Sequence, residues 1–521
     1  MKPEFHVPYI SRRSFLERFG RAALGTTVLA RTIRELGFLN SAVAQGVPPT
    51  DYKALICVFL NGGNDSNNMI IPTIPAEWDN YAAIRSPVLA IPNTVAGDVT
   101  TALAMNSHNG QAGYPANDYH TYGFHPAMPE MQTLFNAGVV APVFNVGTLS
   151  FPLTKAQYSA GSVPRPPQLF SHSDQQTQWQ TSLPDQPYTS GWGGRIADLF
   201  TAANYNQNGG ISMAVTLAGS NIFEVSNSNL APPYAITTGG AVQISGITGT
   251  RRTALDSILA SDRTSANLQT KAYADIFNHS IGQADSLTLA LATNATASWL
   301  TRFNSSITTP NGGPTFTSGL MSQMKMVARL IELGSRSVAN GGLGMTRQIF
   351  FIQVGGYDTH TNQTNNQGQT TTDNTKVILG SHANLLADLS KTLNALYQAM
   401  GDIGRPVGSP VGTRLLKDSV TAFTASDFSR TFPANGYGSD HGWGGHQLVM
   451  GGAVKGGATY GKFPVLAVNG PDDTSTGRWI PTTAVDQYAA TIATWFGVDA
   501  AGINTVFPNL GRFATPNLGF I

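Results

Sequence analysis

The chain has 521 residues, of which 41% are hydrophobic and 12% charged, and its formal net charge is +1. Residues 1–45 hold seven of the 31 basic and three of the 30 acidic side chains, so the remainder carries 24 bases and 27 acids. This balance argues against binding to nucleic acid or to an anionic membrane surface. The single cysteine, Cys57, excludes an intrachain disulfide, and its apolar surroundings predict a small buried side chain.

The N-terminal segment is typical of an export signal. Paired arginines, Arg12 and Arg13, stand in SRRSFL before a modestly apolar stretch, and Ala42-Val43-Ala44 forms an A-x-A cleavage pattern. The motif resembles a twin-arginine signal, which predicts passage through the Tat translocase and a periplasmic or extracellular protein. The apolar stretch is too short and too charged to span a bilayer, so no stable membrane insertion is expected.

Beyond the signal, short apolar runs alternate with helical patterns. The predicted buried strands are four in number and lie at 54–60, 139–147, 347–356 and 417–427. The predicted helices lie at 126–138, 192–203, 318–334, 382–400 and 482–498. This alternation predicts an α/β fold with a doubly wound, mostly parallel sheet and helices on both faces. We expect one domain over 46–521, with loop insertions near 86–123 and 204–316.

Ligand-type side chains follow the four predicted strands. Sites in open α/β sheets form at the carboxyl ends of the strands, so these side chains are expected to meet. The candidate metal ligands are Asp65, Asp358, His360, Asp427, Asp440, His441 and His446. Carboxylates and imidazoles are the ligands of paired divalent ions, and glycines around Asp440 and His441 let adjacent residues point at one centre. We predict two divalent ions, with zinc first and calcium, magnesium or manganese as alternatives.

The segment LFSHSDQQTQW and the segment SDFSRT hold further polar candidates. Ser171 and Ser173 lie at the start of a predicted helix, which either hydroxyl could cap. His172 is a candidate contact to a transferring anionic group. Arg430 is predicted either to bind an anionic oxygen of the substrate or to pair with Asp427.

These motifs together resemble one protein family. The segments VFLNGGNDSNNMIIP, FHPAMPEM, SHSDQQTQW, GGYDTHTNQ and SDFSRTFPANGYGSDHGWGGH are similar to those of exported DUF1501 proteins, which in turn resemble the alkaline phosphatase/sulfatase superfamily. The resemblance implies an alkaline-phosphatase-like fold and hydrolysis of phosphate or sulfate esters, on a small molecule or a polymer. It also implies a two-metal centre with a nucleophilic hydroxyl at a helix N-terminus near the metals, for which Ser171 is the first candidate and Ser173 the second. The alternative is that either serine only caps the helix.

By matching position, the resemblance assigns ligands to the two metals. Asp358 with His360 would bind one metal, and Asp440 with His441 would bind the other. Asp65 corresponds to the acid after the first strand, and His446 to the remaining histidine. Asp427, directly after its predicted strand, competes with Asp440 for the same metal: either Asp427 is the ligand and Asp440 supports it from behind, or both bind.

Two other classes of function stay open. A metal-free serine esterase would use Ser66 in GGNDSNN together with Asp358 and His360, although no G-x-S-x-G elbow is present. A non-catalytic exported binding or assembly protein would keep the same fold without its chemistry.

Overall fold

A computed structural model describes residues 49–187, 189–206, 211–227 and 232–521. The twin-arginine motif and its cleavage pattern lie outside these residues, so export stays a prediction. In the described part of the chain, no helix is both long enough and apolar enough to cross a membrane.

The strands and helices of the described residues are labelled here in chain order. Strands β1 to β14 are Lys53–Leu60, Ile70–Pro72, Leu103–Ala104, Tyr122–Phe124, Val140–Gly147, Ala214–Thr216, Tyr234–Ala235, Ser306–Thr308, Thr315–Thr317, Arg347–Val354, Val420–Ser426, Gly445–Met450, Tyr460–Gly461 and Thr483–Ala484. Helices α1 to α14 are Ser66–Met69, Pro75–Arg85, Pro129–Asn136, Lys155–Ala160, His172–Thr181, Trp192–Ala202, Thr250–Asp262, Leu268–Ala292, Gly319–Ser335, Asn374–Val377, Ser381–Ile403, Leu416–Ser419, Val485–Phe496 and Ala500–Val506. Short 3-10 helices occupy Ser298–Arg302, Val338–Asn340 and Leu510–Arg512.

The central sheet has the strand order β13-β5-β12-β11-β1-β10-β6-β7, with β14 also paired to β5. Its pairings are parallel except those of β12, which is antiparallel to β11 and β5. The four predicted strands are confirmed as β1, β5, β10 and β11. The mostly parallel α/β class is therefore confirmed.

Alternate residues of β1 enter two separate cores, one on each face of the sheet. Ile56 and Val58 pack into a core that includes side chains of α3, α9 and α11, whereas Leu55 and Cys57 pack into a core with α6 and α13. A strand covered on both faces needs apolar side chains at every position, which explains the continuous apolar run at 54–60. The five predicted helices are confirmed as α3, α6, α9, α11 and α13.

The two expected insertions have little regular sheet. Residues 86–123 contain only β3 and the start of β4, and residues 204–316 contain the short strands β6 to β8, the start of β9 and the helices α7 and α8. Helices α7 and α8 form a small apolar core of their own around Leu259, Ala274 and Ile281. Their treatment as insertions into one domain stays a prediction.

Glu224 is a fully buried carboxyl group that makes folding stability depend on pH. Burial raises the pKa of Glu224 to about 8, against the lowering effect of a hydrogen bond from Asn221 Nδ2 at 2.9 Å. The folded protein keeps this proton up to about pH 8, whereas an unfolded glutamate releases it near pH 4.3. Stability is therefore lost as the pH rises through that window.

We expect Glu224→Gln to weaken this loss, because a neutral amide carries no buried charge at any pH. At about pH 9 the free energy of unfolding of the variant should exceed that of wild type by roughly 2 to 4 kcal/mol, and this difference should shrink towards pH 5. Urea unfolding at both pH values measures it. Glu77→Gln, at a partly exposed carboxylate, is the control, and an equal pH slope in wild type and Glu224→Gln would contradict the prediction.

Candidate metal centre

Three neighbouring strands deliver their following loops to one edge of the sheet. Leu60 at the end of β1 is in register with Val354 of β10 on one side and with Ser426 of β11 on the other. The segment that follows β5 returns to the same edge at the start of α5. Antiparallel β12 begins there with the residues that follow His441.

Four side chains from these segments form a cluster, here called the histidine–aspartate cluster: His172, Asp358, His360 and His441. One potential ligand atom from each of His172, Asp358 and His441 lies within 4.8 Å of the others. His441 Nε2 is 3.1 Å from His172 Nε2 and 2.9 Å from His360 Nε2. The carboxylate of Asp358 lies 3.1 Å from His360 Nε2, 3.4 Å from His441 Nε2 and 3.5 Å from His172 Nε2.

Each imidazole in the cluster is oriented through its other nitrogen. His172 Nδ1 donates to Asp427 Oδ2 at 2.7 Å, and His360 Nδ1 donates to Asp440 Oδ1 at 2.9 Å. His441 Nδ1 donates to the carbonyl oxygen of Phe170 at 2.8 Å. Because carboxylate and carbonyl oxygens only accept, these bonds select the tautomer whose Nε2 lone pair faces the cluster.

The pKa values of His172 and His441 are shifted in opposite directions. The hydrogen bond to Asp427 raises the pKa of His172 above its ordinary value, despite partial burial. Burial lowers the pKa of His441, more than the hydrogen bond to Phe170 raises it. His441 is therefore the member whose neutral form, the form that binds a metal, is favoured.

Arg430 is completely buried and holds the carboxylate of the cluster. It donates from Nη1 to Asp358 Oδ1 at 2.6 Å and to the carbonyl of Gly62 at 3.1 Å, and from Nη2 to the carbonyl of Ser439. Burial would raise the pKa of Asp358, but the Arg430 bond and charge keep it below its ordinary value. The ion pair of Arg430 is thus with Asp358 and not, as one alternative predicted, with Asp427.

Asp427 and Asp440, the competing candidates for one metal, each accept a hydrogen bond from a histidine of the cluster. Asp427 Oδ2 accepts from His172 and from Gln176 Nε2 at 2.8 Å, while its Oδ1 accepts from the Gly62 backbone at 3.1 Å. Asp440 Oδ1 accepts from His360 and from Asn435 Nδ2 at 2.9 Å. Both carboxylates therefore contact the Nδ1 side of an imidazole.

Glycines around Asp440 and His441 allow backbone segments to touch. A side chain at Gly438 would clash with the carbonyl of Thr359, and one at Gly442 would clash with the backbone of Ser429 and Arg430. Thr431 N–H donates to the Asp440 carbonyl at 2.8 Å, and Gly442 N–H donates to the Ser429 carbonyl at 2.7 Å. Close packing, more than freedom of the backbone, explains the glycine-rich sequence.

Besides Asp427 and Asp440, which bond to imidazoles of the cluster, two predicted ligands lie away from it. The carboxylate of Asp65 is fully buried and is bound by Arg85 and Gln363. His446 is buried against the ring of Phe463, 4.8 Å away, and its Nδ1 accepts from the Asn145 backbone at 3.2 Å. Burial lowers the pKa of His446 to about 3. Neither residue has a hydrogen bond or ion pair with the histidine–aspartate cluster, because each is held in the interior by other partners.

The serine candidates are placed differently. Ser171 is at the N-cap position of α5, but its side chain makes no capping bond and donates instead to Asp174 Oδ2 at 2.6 Å. Ser173 Oγ is 3.3 Å from the same carboxylate oxygen. Both hydroxyls are next to His172 in sequence yet bond within the first turn of their own helix, so their catalytic role stays a prediction.

The esterase triad is not assembled. Ser66 is buried with its Oγ 2.9 Å from Ser429 Oγ, whereas Asp358 and His360 contact each other in the histidine–aspartate cluster. A nucleophilic serine needs its base within hydrogen-bond reach, and the hydrogen bond of the Ser66 hydroxyl leads to another hydroxyl.

Sequence reasoning missed the residues that support the cluster from loops. The ring of Phe428 packs 4.8 Å from the rings of both His172 and His441. Phe170 supplies its carbonyl from a left-handed backbone conformation with φ of 70°. Arg478 donates from Nε to the His441 carbonyl at 2.9 Å. Only the position of Phe428, directly after Asp427, offered a signal.

We expect Asp427→Asn to lower the pKa of His172 in metal-free protein. The amide has no negative charge, and in either orientation its N–H group faces a donor, either His172 Nδ1 with Gln176 Nε2 or the Gly62 N–H. The charge-assisted hydrogen bond that is the main cause of the raised pKa is therefore lost. NMR titration of the His172 ring measures the change. An unchanged pKa for His172 would show that Asp427 does not control it.

We expect Gly438→Ala to weaken zinc binding by about tenfold, since loss of supporting contacts around a metal typically costs that much. The added methyl group would push Asp440 and its loop away from His360. Competition with a chromogenic chelator measures the affinity. Gly355→Ala is the control, because a side chain there meets open space in the connection after β10, the connection that contains the atoms Gly438→Ala would push against. Equal affinities for the two variants would contradict the prediction.

Comparison with known proteins identifies the family. A family model described as "Protein of unknown function (DUF1501)" matches residues 52–501, a range that includes the whole histidine–aspartate cluster. No curated protein and no solved structure matches the chain. The chain belongs to the DUF1501 family.

Proposed function

We propose that this protein is a metal-dependent hydrolase of phosphate or sulfate esters. The observation that carries the proposal is the convergence of three imidazole Nε2 atoms and one carboxylate at the carboxyl edge of a parallel sheet. The finer expectations belong to the same proposal: an alkaline-phosphatase-like fold, export by the twin-arginine pathway, and action outside the cytoplasm.

The donor set of the histidine–aspartate cluster fits a divalent ion. With each Nδ1 donating to an oxygen, the lone pairs on Nε2 of His172, His360 and His441 face one another and repel unless a cation or a proton lies between them. Imidazole nitrogens with one carboxylate suit zinc better than calcium or magnesium, which prefer oxygen ligands. A bound divalent ion supplies Lewis acidity towards an oxygen of the ester.

The charges of the surrounding residues support the same ion. Asp358, Asp427 and Asp440 contribute three negative charges, which Arg430 offsets by one. These four groups together carry a net charge of −2, which one divalent ion would balance, and the partly exposed Arg478 beside His441 adds a positive charge of its own. An uncompensated pair of charges in a partly buried site is costly, so the site favours a dication over a monovalent ion.

The protein residues around the ion would orient it and leave access from solvent. His172 and His441 are each fixed on two sides, by a hydrogen bond at Nδ1 and by the ring of Phe428. The side chains of Asp358 and His360 are 45% and 41% exposed, so this side of the cluster is open to a substrate. Water or one of the hydroxyls of Ser171 and Ser173 would be the nucleophile.

The number of ions is the sharpest test of the proposal. We expect the purified protein, after incubation with zinc and removal of the excess, to retain about one equivalent, because one cluster gathers the ligand atoms. His441→Ala should lose it, and His120→Ala, at an exposed histidine paired with Glu77, should keep it. Elemental analysis gives the count. Two equivalents would support the original two-metal prediction, and none would overturn the proposal.

Turnover of nitrophenyl phosphate, bis-nitrophenyl phosphate, nitrophenyl sulfate and nitrophenyl acetate identifies the ester class. Hydrolysis of a phosphate or sulfate ester that a chelator abolishes would agree with the proposal. Acetate hydrolysis that resists the chelator would favour the serine esterase, and a metal-loaded protein without turnover would favour a binding role.

A further inference from the structure

Two arginines, Arg430 and Arg478, lie beside the histidine–aspartate cluster. The terminal nitrogens of Arg430 donate to other residues of the protein, whereas those of Arg478 do not in the part of the chain that the structure describes. Arg430 is fully buried and donates to Asp358 and to two backbone carbonyls. It therefore has no exposed face for a substrate. Arg478 is partly exposed, and the ion pairs of the described residues do not include it.

The contacts that hold Arg478 in place involve its Nε atom and the face of its guanidinium, and they leave the N–H groups of Nη1 and Nη2 available. Its Nε donates to the carbonyl of His441 at 2.9 Å, and its guanidinium lies 4.4 Å from the centre of the Phe170 ring. Asp473, the nearest acid in sequence on its loop, accepts from the backbone N–H groups of Asn469, Gly477 and Arg478 itself. Within the described residues, Nη1 and Nη2 of Arg478 thus have no hydrogen-bond acceptor.

The residues that position Arg478 are the ones that position His441. Phe170 accepts from His441 Nδ1 through its carbonyl and presents its ring to Arg478. A φ of 70° is uncommon for a residue with a bulky side chain, and such conformations persist where the surroundings enforce them. The guanidinium and the imidazole are therefore linked rigidly through Phe170 and through the His441 backbone.

We infer that Arg478 binds the anionic oxygens of the substrate, an inference that rests on the proposed function. With one divalent ion, the charges of Asp358, Asp427, Asp440 and Arg430 cancel, so Arg478 leaves the site with one net positive charge. A guanidinium presents two parallel N–H donors, which match two oxygens of a phosphate or sulfate group. The substrate is accordingly an ester with at least one anionic oxygen that is bound by Arg478 and not by the metal.

Isothermal titration with inorganic phosphate and inorganic sulfate tests this role without requiring turnover. Zinc-loaded wild type should bind at least one of the two anions, and Arg478→Met should bind it about tenfold or more weakly, the loss expected for a charge-assisted hydrogen bond. Arg478→Lys should be intermediate, because an ammonium keeps the charge but loses the two-pronged geometry. Arg165→Met is the charge-matched control, since Arg165 also stacks on an aromatic ring, that of Tyr158, and should leave affinity within about twofold.

Zinc content, measured on the same samples, separates the two possible failures. Equal anion affinity in wild type and Arg478→Met, with zinc retained in both, would overturn the role of Arg478 and leave the metal centre standing. Loss of zinc from Arg478→Met alone would make Arg478 a positioning residue for His441 and would also overturn the inference. Wild type that binds no zinc would overturn the proposed function and, with it, this inference.

Discussion

Strand β1 lies between β10 and β11, and the three strands end level with one another at Leu60, Val354 and Ser426. Parallel pairing in this register obliges the next few residues of each chain segment to leave the sheet side by side. Asp358 and Asp427 follow two of these ends by only a few residues, so their separation from each other is limited by the strand spacing. The candidate metal centre depends on this alignment.

Backbone contacts between the loops convert this proximity into a defined geometry. Gly62, after β1, approaches the backbone of Asp358 so closely that a side chain there would clash, and its φ of 116° further favours glycine. Arg430 then joins Gly62, Asp358 and Ser439 through one buried guanidinium. A buried charge with several hydrogen bonds is difficult to move without leaving polar groups unpaired, so this arginine stabilises the arrangement of three loops.

The acids of the site divide into two roles. Asp358 faces the Nε2 atoms of the cluster, whereas Asp427 and Asp440 accept from Nδ1 of His172 and His360. In metal sites, carboxylates at Nδ1 orient the imidazole and increase its basicity. In the proposed metal centre, Asp427 and Asp440 would each support one imidazole, and the choice between them as direct ligands stays a prediction.

The sequence itself predicts the long strands of the sheet and the grouping of most of the candidate site residues. Continuous apolar runs predict the four long strands, because strands covered on both faces need apolar residues throughout, and the carboxyl-end rule places Asp358, His360, Asp427 and His441 near one another. The sequence alone does not say that Asp65 pairs with Arg85, nor that His446 turns into the interior. Nor does it indicate Phe170 or Arg478, which are distant from His441 in the chain. Those assignments depend on contacts between side chains from different loops, and local sequence patterns do not indicate such long-range contacts.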